Sequence, residues 1–291
     1  MEFLDYVTRV FSVFISTVLG LLFARYLYDR VETLTKPLSR RVGVPAPLLA
    51  LSIGDARAPH VVMAQWLREG VVAFRHVLVF SFLTWPLRVV LLHLRLGIIP
   101  LALGALGLLG AVYLSVVYLP SVAGLLLALH LGRGLVWPIG TDAGRRVASI
   151  NILKTAGGLT ARYAAFEAIF AAMDLLGLRI DFSFLSLSPE ALAVASVASV
   201  RPSLGIMAAA PAYFAGRISA IEVLLALLVG RLVYMSIFEF PRSAVQFYGS
   251  IYPASVASRL VLYTALVMYG AMLPVLAVLF LMAGIGGLKT V

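Results

Sequence analysis

Asp55, Arg57 and His60 stand close together at a polar tip that interrupts a short apolar run, and Arg201 and Ser203 occupy the matching place later in the chain. The first run reads Pro47 to Gly54, then Asp55-Ala56-Arg57-Ala58-Pro59-His60, then Val61 to Leu67; the second reads Ala191 to Val200, then Arg201-Pro202-Ser203, then Leu204 to Ala210. Glycine and proline let a chain break at such tips. Unwound backbone and half-helix ends then supply ligands near a bilayer midplane, and helix N-termini at His60 and Ser203 would offer free N–H groups to an anion or a polar solute. These five residues form the candidate substrate-binding set. A plainer reading makes both tips interfacial loops whose arginines snorkel to headgroups.

A second set comes from ionisable residues inside apolar runs, which are functional candidates by default. Glu167 lies well inside its run, and Arg88 or Arg231 is the expected partner; the three form either a structural ion pair or a proton or cation site. His76 and Glu222 each follow a glycine, Gly70 and Gly216, by six residues and are expected at equivalent interfacial depths. Trp66, Trp85 and Trp137 read as interfacial anchors. There is no Walker-type glycine loop, no His-Glu-x-x-His and no nucleophile elbow. With zero cysteines, cysteine-ligated metal is excluded. The four histidines and the scattered serines show no spacing that favours a hydrolase at Asp55, His60 or Ser203. Neither catalysis, cofactor nor metal is expected.

The elements that must position these residues are membrane helices. Of 291 residues, 62% are apolar and 12% charged, a balance no soluble domain shows. The net charge of +10 resides in loops between apolar runs, so orientation in a bilayer explains it and nucleic acid is not expected. Spans are expected near Val10 to Tyr28, Val77 to Leu92, Gly97 to Leu131 with a kink at Pro120, Thr160 to Leu178, Ile218 to Phe238 and Arg259 to Ala283. An amphipathic stretch from Pro241 to Ser258 precedes the last. The acidic start and the absence of a small-residue cleavage site make the first span a retained one rather than a signal peptide. One Asn, two Gln and no Cys suit a thermophile.

Two halves repeat. Leu109 to Gly132 aligns without gaps on Tyr263 to Gly286, matching Leu119-Pro120 with Leu273-Pro274, while Pro59 matches Pro202 and Gly70 matches Gly216. If each broken segment turns back as a re-entrant hairpin, one face collects Arg30, Lys36, Arg40, Arg41, Arg68, Arg133, Arg145, Arg146 and Lys154. The other then keeps only Arg9, Arg95, Arg179, Arg217 and Lys289. The positive-inside rule favours this arrangement over single crossings. The expectation is an all-α polytopic membrane protein of two inverted repeats, each with three spanning helices and one broken hairpin. Residues 1–132 form the first repeat, 133–158 a cytoplasmic linker and 159–291 the second repeat, with the N-terminus outside and the charged loops in the cytoplasm.

Leu187-Ser188-Pro189-Glu190-Ala191-Leu192-Ala193, Gly216-Arg217-Ile218-Ser219 and the stretch from Phe240-Pro241-Arg242 to Phe247-Tyr248-Gly249 resemble archaeal membrane proteins of the nucleoside-recognition, or Gate, domain family. That domain is similar to units of concentrative nucleoside transporters and of the ferrous-iron transporter B membrane part. The resemblance implies inverted repeats, re-entrant hairpins and movement of a small polar solute or ion. The chain departs from the iron transporter in having no GTPase domain and no cysteine. The expected function is therefore transporter-like, moving or binding a nucleoside-like solute, an organic anion or an ion between the two hairpins. The alternative is a non-transporting scaffold or partner subunit of a membrane complex. The expected partners are the lipid bilayer, the solute and a second copy of the chain in a homo-oligomer.

Overall fold

A computed structural model describes residues 4, 6–22, 44–45, 48–49, 51–52, 56–95, 97–137, 151–175, 182, 185 and 187–287. Four helices are long and apolar enough to cross a membrane: Phe74–Leu94, Leu108–Leu131, Ala220–Ile251 and Ala254–Ala283. Among the described residues there is no strand. The chain is a helical, multi-pass membrane protein.

In chain order the helices are α1 (Tyr6–Leu22), α2 (Arg57–Arg68), α3 (Phe74–Arg95), α4 (Ile98–Leu106), α5 (Leu108–Leu131), α6 (Ile152–Leu175), α7 (Pro189–Val200), α8 (Pro202–Phe214) and α9 (Ala220–Tyr234). Two π-helical segments follow, π1 (Met235–Glu239) and π2 (Pro241–Gln246), and then α10 (Phe247–Ile251) and α11 (Ala254–Gly287). The helix expected as the first span starts earlier than expected, at Tyr6; its described part, Tyr6–Leu22, is shorter than the four spanning helices, and its expected end falls outside the described residues. The helix expected from Thr160 begins at Ile152, so part of the expected linker is helical.

Prolines set two of the breaks. Arg201 is extended (φ −150°, ψ 102°) between α7 and α8, because the ring of Pro202 disfavours the helical region for the residue before it. Tyr252, before Pro253, is extended for the same reason (φ −102°, ψ 159°) and separates α10 from α11. The expected single span from Gly97 to Leu131 is instead two helices, broken at Gly107, while Pro120 lies inside α5. Gly107 adopts φ 56°, ψ −126°, a conformation open to glycine alone. The expected separate stretch from Pro241 is likewise corrected: helical winding continues through it as π1, π2 and α10. Pro241 has no N–H to donate, and its ring crowds the carbonyl four residues earlier, so α winding cannot pass through it unchanged.

Gly70 and Gly216 end α2 and α8 in the same way. Both have φ 69°, the left-handed C′ position. Gly70 N–H donates to Leu67 O and Val71 N–H to Trp66 O; Gly216 N–H donates to Tyr213 O and Arg217 N–H to Ala212 O. The next helix then starts four residues later in each case, at Phe74 and at Ala220. There His76 Nδ1 accepts from Ala73 N–H (3.1 Å) and Glu222 Oε2 accepts from Ser219 N–H (2.9 Å). An imidazole and a carboxylate thus satisfy the same orphan donor, and Ser219 Oγ completes a capping box with Glu222.

The chain divides into two compact units, each drawing on its first and second halves. One comprises Met1–Arg88, Gly124–Leu176 and Arg242–Thr264. In it α10 packs against α2 and α6, and Met63, Trp66, Phe80, Phe82, Tyr248 and Tyr252 are fully buried. The other comprises Val89–Ala123, Gly177–Pro241 and Ala265–Val291. There α7 and α8 pack on each other and on α9, and α8 also meets α4. Small residues make that approach close: a Cβ at Gly205 would come within 2.4 Å of Ala198 Cβ, and one at Gly230 within 2.6 Å of Ala195 O.

Gly205→Val is therefore expected to destabilise the protein by about 1–3 kcal/mol through overpacking. Gly157→Ala, in α6 with nothing within 4 Å, is expected to stabilise it by about 0.5–1 kcal/mol through helix propensity. Unfolding of both variants in detergent, followed by circular dichroism, checks the contrast in sign.

Candidate functional site

In the first unit, α2 begins at Arg57, so His60 is its fourth residue and lies within the helix rather than at an unwound tip. The His60 ring is 1% exposed. Its Nδ1 hydrogen-bonds Tyr252 Oη at 2.8 Å, and Phe80, Phe247 and Tyr248 stand edge-on to it. Among the described residues its buried Nε2 has no hydrogen-bond partner. Arg88 donates to Ser81 O (3.1 Å) and Tyr248 Oη (3.3 Å), and its guanidinium lies 5.2 Å from the Phe247 ring centre. Arg57 lies 5.4 Å over the Tyr163 ring. Asp55 falls outside the described residues.

Glu167 pairs with neither expected arginine. Arg9 Nη1 donates to Glu167 Oε1 at 2.8 Å and Gln246 Nε2 donates to Oε2 at 3.0 Å, while Gln246 also reaches Tyr163 O. The reason is that Arg88 is already turned onto Tyr248 and Phe247, and Arg231 belongs to the second unit with a carboxylate of its own. The Glu167 side chain is 5% exposed and that of Arg9 54%, so the carboxylate depends chiefly on the buried amide of Gln246.

In the second unit Arg231, 2% exposed, donates through Nη2 to Glu239 Oε2 at 2.6 Å and to His93 Nε2 at 3.1 Å. A guanidinium only donates, so His93 Nε2 must accept and the imidazole proton sits on Nδ1. That Nδ1–H then donates to Tyr118 Oη at 3.1 Å. Ordinary α winding would leave Glu239, eight residues after Arg231, roughly 80° around the helix. The wider π1 turns less per residue and returns Glu239 to the arginine's face. Both π segments thus end on a polar side chain that meets a buried charge, Glu239 on Arg231 and Gln246 on Glu167.

Arg201 and Ser203 belong to this second unit, and Arg57 and His60 to the first. Arg201 is exposed at the extended break, whereas Ser203 is the second residue of α8 and half-buried, again within the helix rather than at the tip. The sequence reading missed Arg9, His93, Tyr118, Glu239, Gln246 and Tyr252. The signal available for two of them was Pro241, a helix disruptor inside an apolar span with Glu239 and Gln246 close on either side.

Glu239→Ala strands a buried guanidinium and is expected to cost about 3 kcal/mol. Arg9→Ala removes a half-exposed, solvent-screened partner and is expected to cost less than about 1 kcal/mol. Adding Arg231→Met to Glu239→Ala should recover part of the loss, a coupling that thermal unfolding of the single and double variants reads directly.

Comparison with protein-family models, with curated proteins and with solved structures finds no match to this chain.

Proposed function

We propose that this is a transporter-like integral membrane protein of the nucleoside-recognition (Gate) kind, which binds or moves a small polar solute or ion, a nucleoside-like compound or an organic anion. Two inverted repeats carry it, each with three spanning helices and one broken hairpin. The observation that carries the reading is the coincidence of helix interruptions with buried ionisable groups. Arg231 meets Glu239, and Glu167 meets Gln246, at the ends of the two π segments inside the span Ala220–Ile251. A charge within a span is expensive, and π-bulges occur frequently at functional sites.

Two further observations favour the repeat and the hairpins. The matched turns at Gly70 and Gly216, with His76 and Glu222 capping alike, are what a duplicated hairpin-to-span connection would leave. α7 and α8, with 12 and 13 residues, reach only about 18 and 20 Å each. Neither crosses a core of roughly 30 Å, and each packs against the other. In this proposal Arg57 and Arg201 stand at the two tips, with His60 and Ser203 inside the helices that follow them, and Asp55, outside the described residues, belongs with the first.

Cysteines introduced singly as Ala56→Cys and Arg201→Cys test it in a chain with no native cysteine. In sealed proteoliposomes a membrane-impermeant maleimide is expected to label one from outside and the other from inside, and nucleosides or organic anions should slow the labelling. Labelling of both from one face would contradict the inverted arrangement. Labelling indifferent to every solute would favour the scaffold reading.

A further inference from the structure

The first unit contains a cavity of about 470 Å³ that none of the residues above explains. Its polar wall comes from two helix ends. Arg68 and Gln65 stand at the C-terminal end of α2, and Asn151, Lys154 and Thr155 at the N-terminal end of α6, with Arg162 two turns further along α6. Val61, Leu159 and Ile251 form an apolar floor. Among the described residues three cations line the space and no carboxylate does; Glu69, next to Arg68, is engaged by Gln65 Nε2.

We infer that this cavity binds a phosphate-bearing anion, held by Arg68, Lys154 and Arg162. Several features select that chemistry. The volume falls in the range of about 300–1,000 Å³ typical of small-molecule sites, far more than a single halide or water needs. Two guanidiniums and an ammonium match the several acceptor oxygens of a phosphate better than the two of one carboxylate. Local bonds already hold part of the frame: Arg68 Nε donates to Ala64 O (3.3 Å), Arg162 Nη1 to Ser250 O (3.4 Å), and Lys154 N–H to Asn151 Oδ1 (3.0 Å). Each arginine keeps further N–H groups for a ligand. The positive end of α6 adds to the field, and the apolar floor suits the glycerol or sugar that carries a phosphate. Such a group comes either from a soluble phosphate compound or from an anionic lipid headgroup. The inference concerns the first unit alone and does not rest on the transport reading.

Purified protein tests both sources. In detergent, inorganic phosphate is titrated against chloride of equal ionic strength and the unfolding temperature is read. In parallel, protein from nanodiscs with and without phosphatidylglycerol is delipidated, and the retained lipid is counted by native mass spectrometry. A rise in unfolding temperature with phosphate assigns a soluble anion, selective retention of phosphatidylglycerol assigns a headgroup, and either result supports the site. Lys154→Gln is expected to weaken the effective ligand about tenfold, while Lys154→Arg preserves it. Arg217→Gln makes the same change in net charge at an exposed position outside the cavity and should leave binding unchanged. No effect in either arm, or equal weakening by Lys154→Gln and Arg217→Gln, overturns the inference.

Discussion

A hydrocarbon core offers water to no backbone group and to no charge, so every interruption and every ionisable side chain within a span must find its partner inside the protein or in a water-filled cavity that the protein lines. The ion pair of Arg231 with Glu239 shows how this constraint shapes the chain. The arginine is almost wholly buried, and satisfying it requires a carboxylate on the same face eight residues on. A regular α-helix does not provide that, and the π1 winding does. His93 and Tyr118 then complete the set, with the histidine tautomer dictated by the guanidinium it faces. Sequence, winding and buried charge here answer one requirement.

The same logic accounts for Gln246 and Glu167. A neutral amide cannot leave a second charge stranded, which makes it a suitable buried donor to a carboxylate whose arginine lies half in solvent. The second unit meets a different demand. Its two short helices must approach α9 closely, and glycine and alanine at 198, 205 and 230 let the backbones do so. Small residues are what helix association in a membrane relies on, because lipid is as apolar as the side chains it would displace.

How much of this was legible in the sequence follows from the range of the forces involved. The break at Arg201 could be read from Pro202, whose ring disfavours helical winding at the residue just before it. The turns at Gly70 and Gly216 were visible as spacing, although their identical backbone angles were not. The break at Gly107 was invisible, since uniformly apolar residues on either side carry no periodicity to mark a boundary. Pro120, where a kink is expected, lies inside α5. Charge within the spans was plain in the sequence, yet partner choice was not. Glu167 turned to Arg9 and Gln246, both far away along the chain, and only packing decides between donors at such separations.

In the proposed transporter, the helix interruptions are places where the backbone is held ready for a polar ligand and is therefore reached by water. Amide hydrogen exchange in nanodiscs measures that directly. The amide of Ser203 and those of 235–246, Pro241 excepted because it has none, are expected to exchange markedly faster than those of 224–232 in α9, and to slow when a bound solute fills the site. Exchange at the interruptions as slow as in that helix would contradict the account.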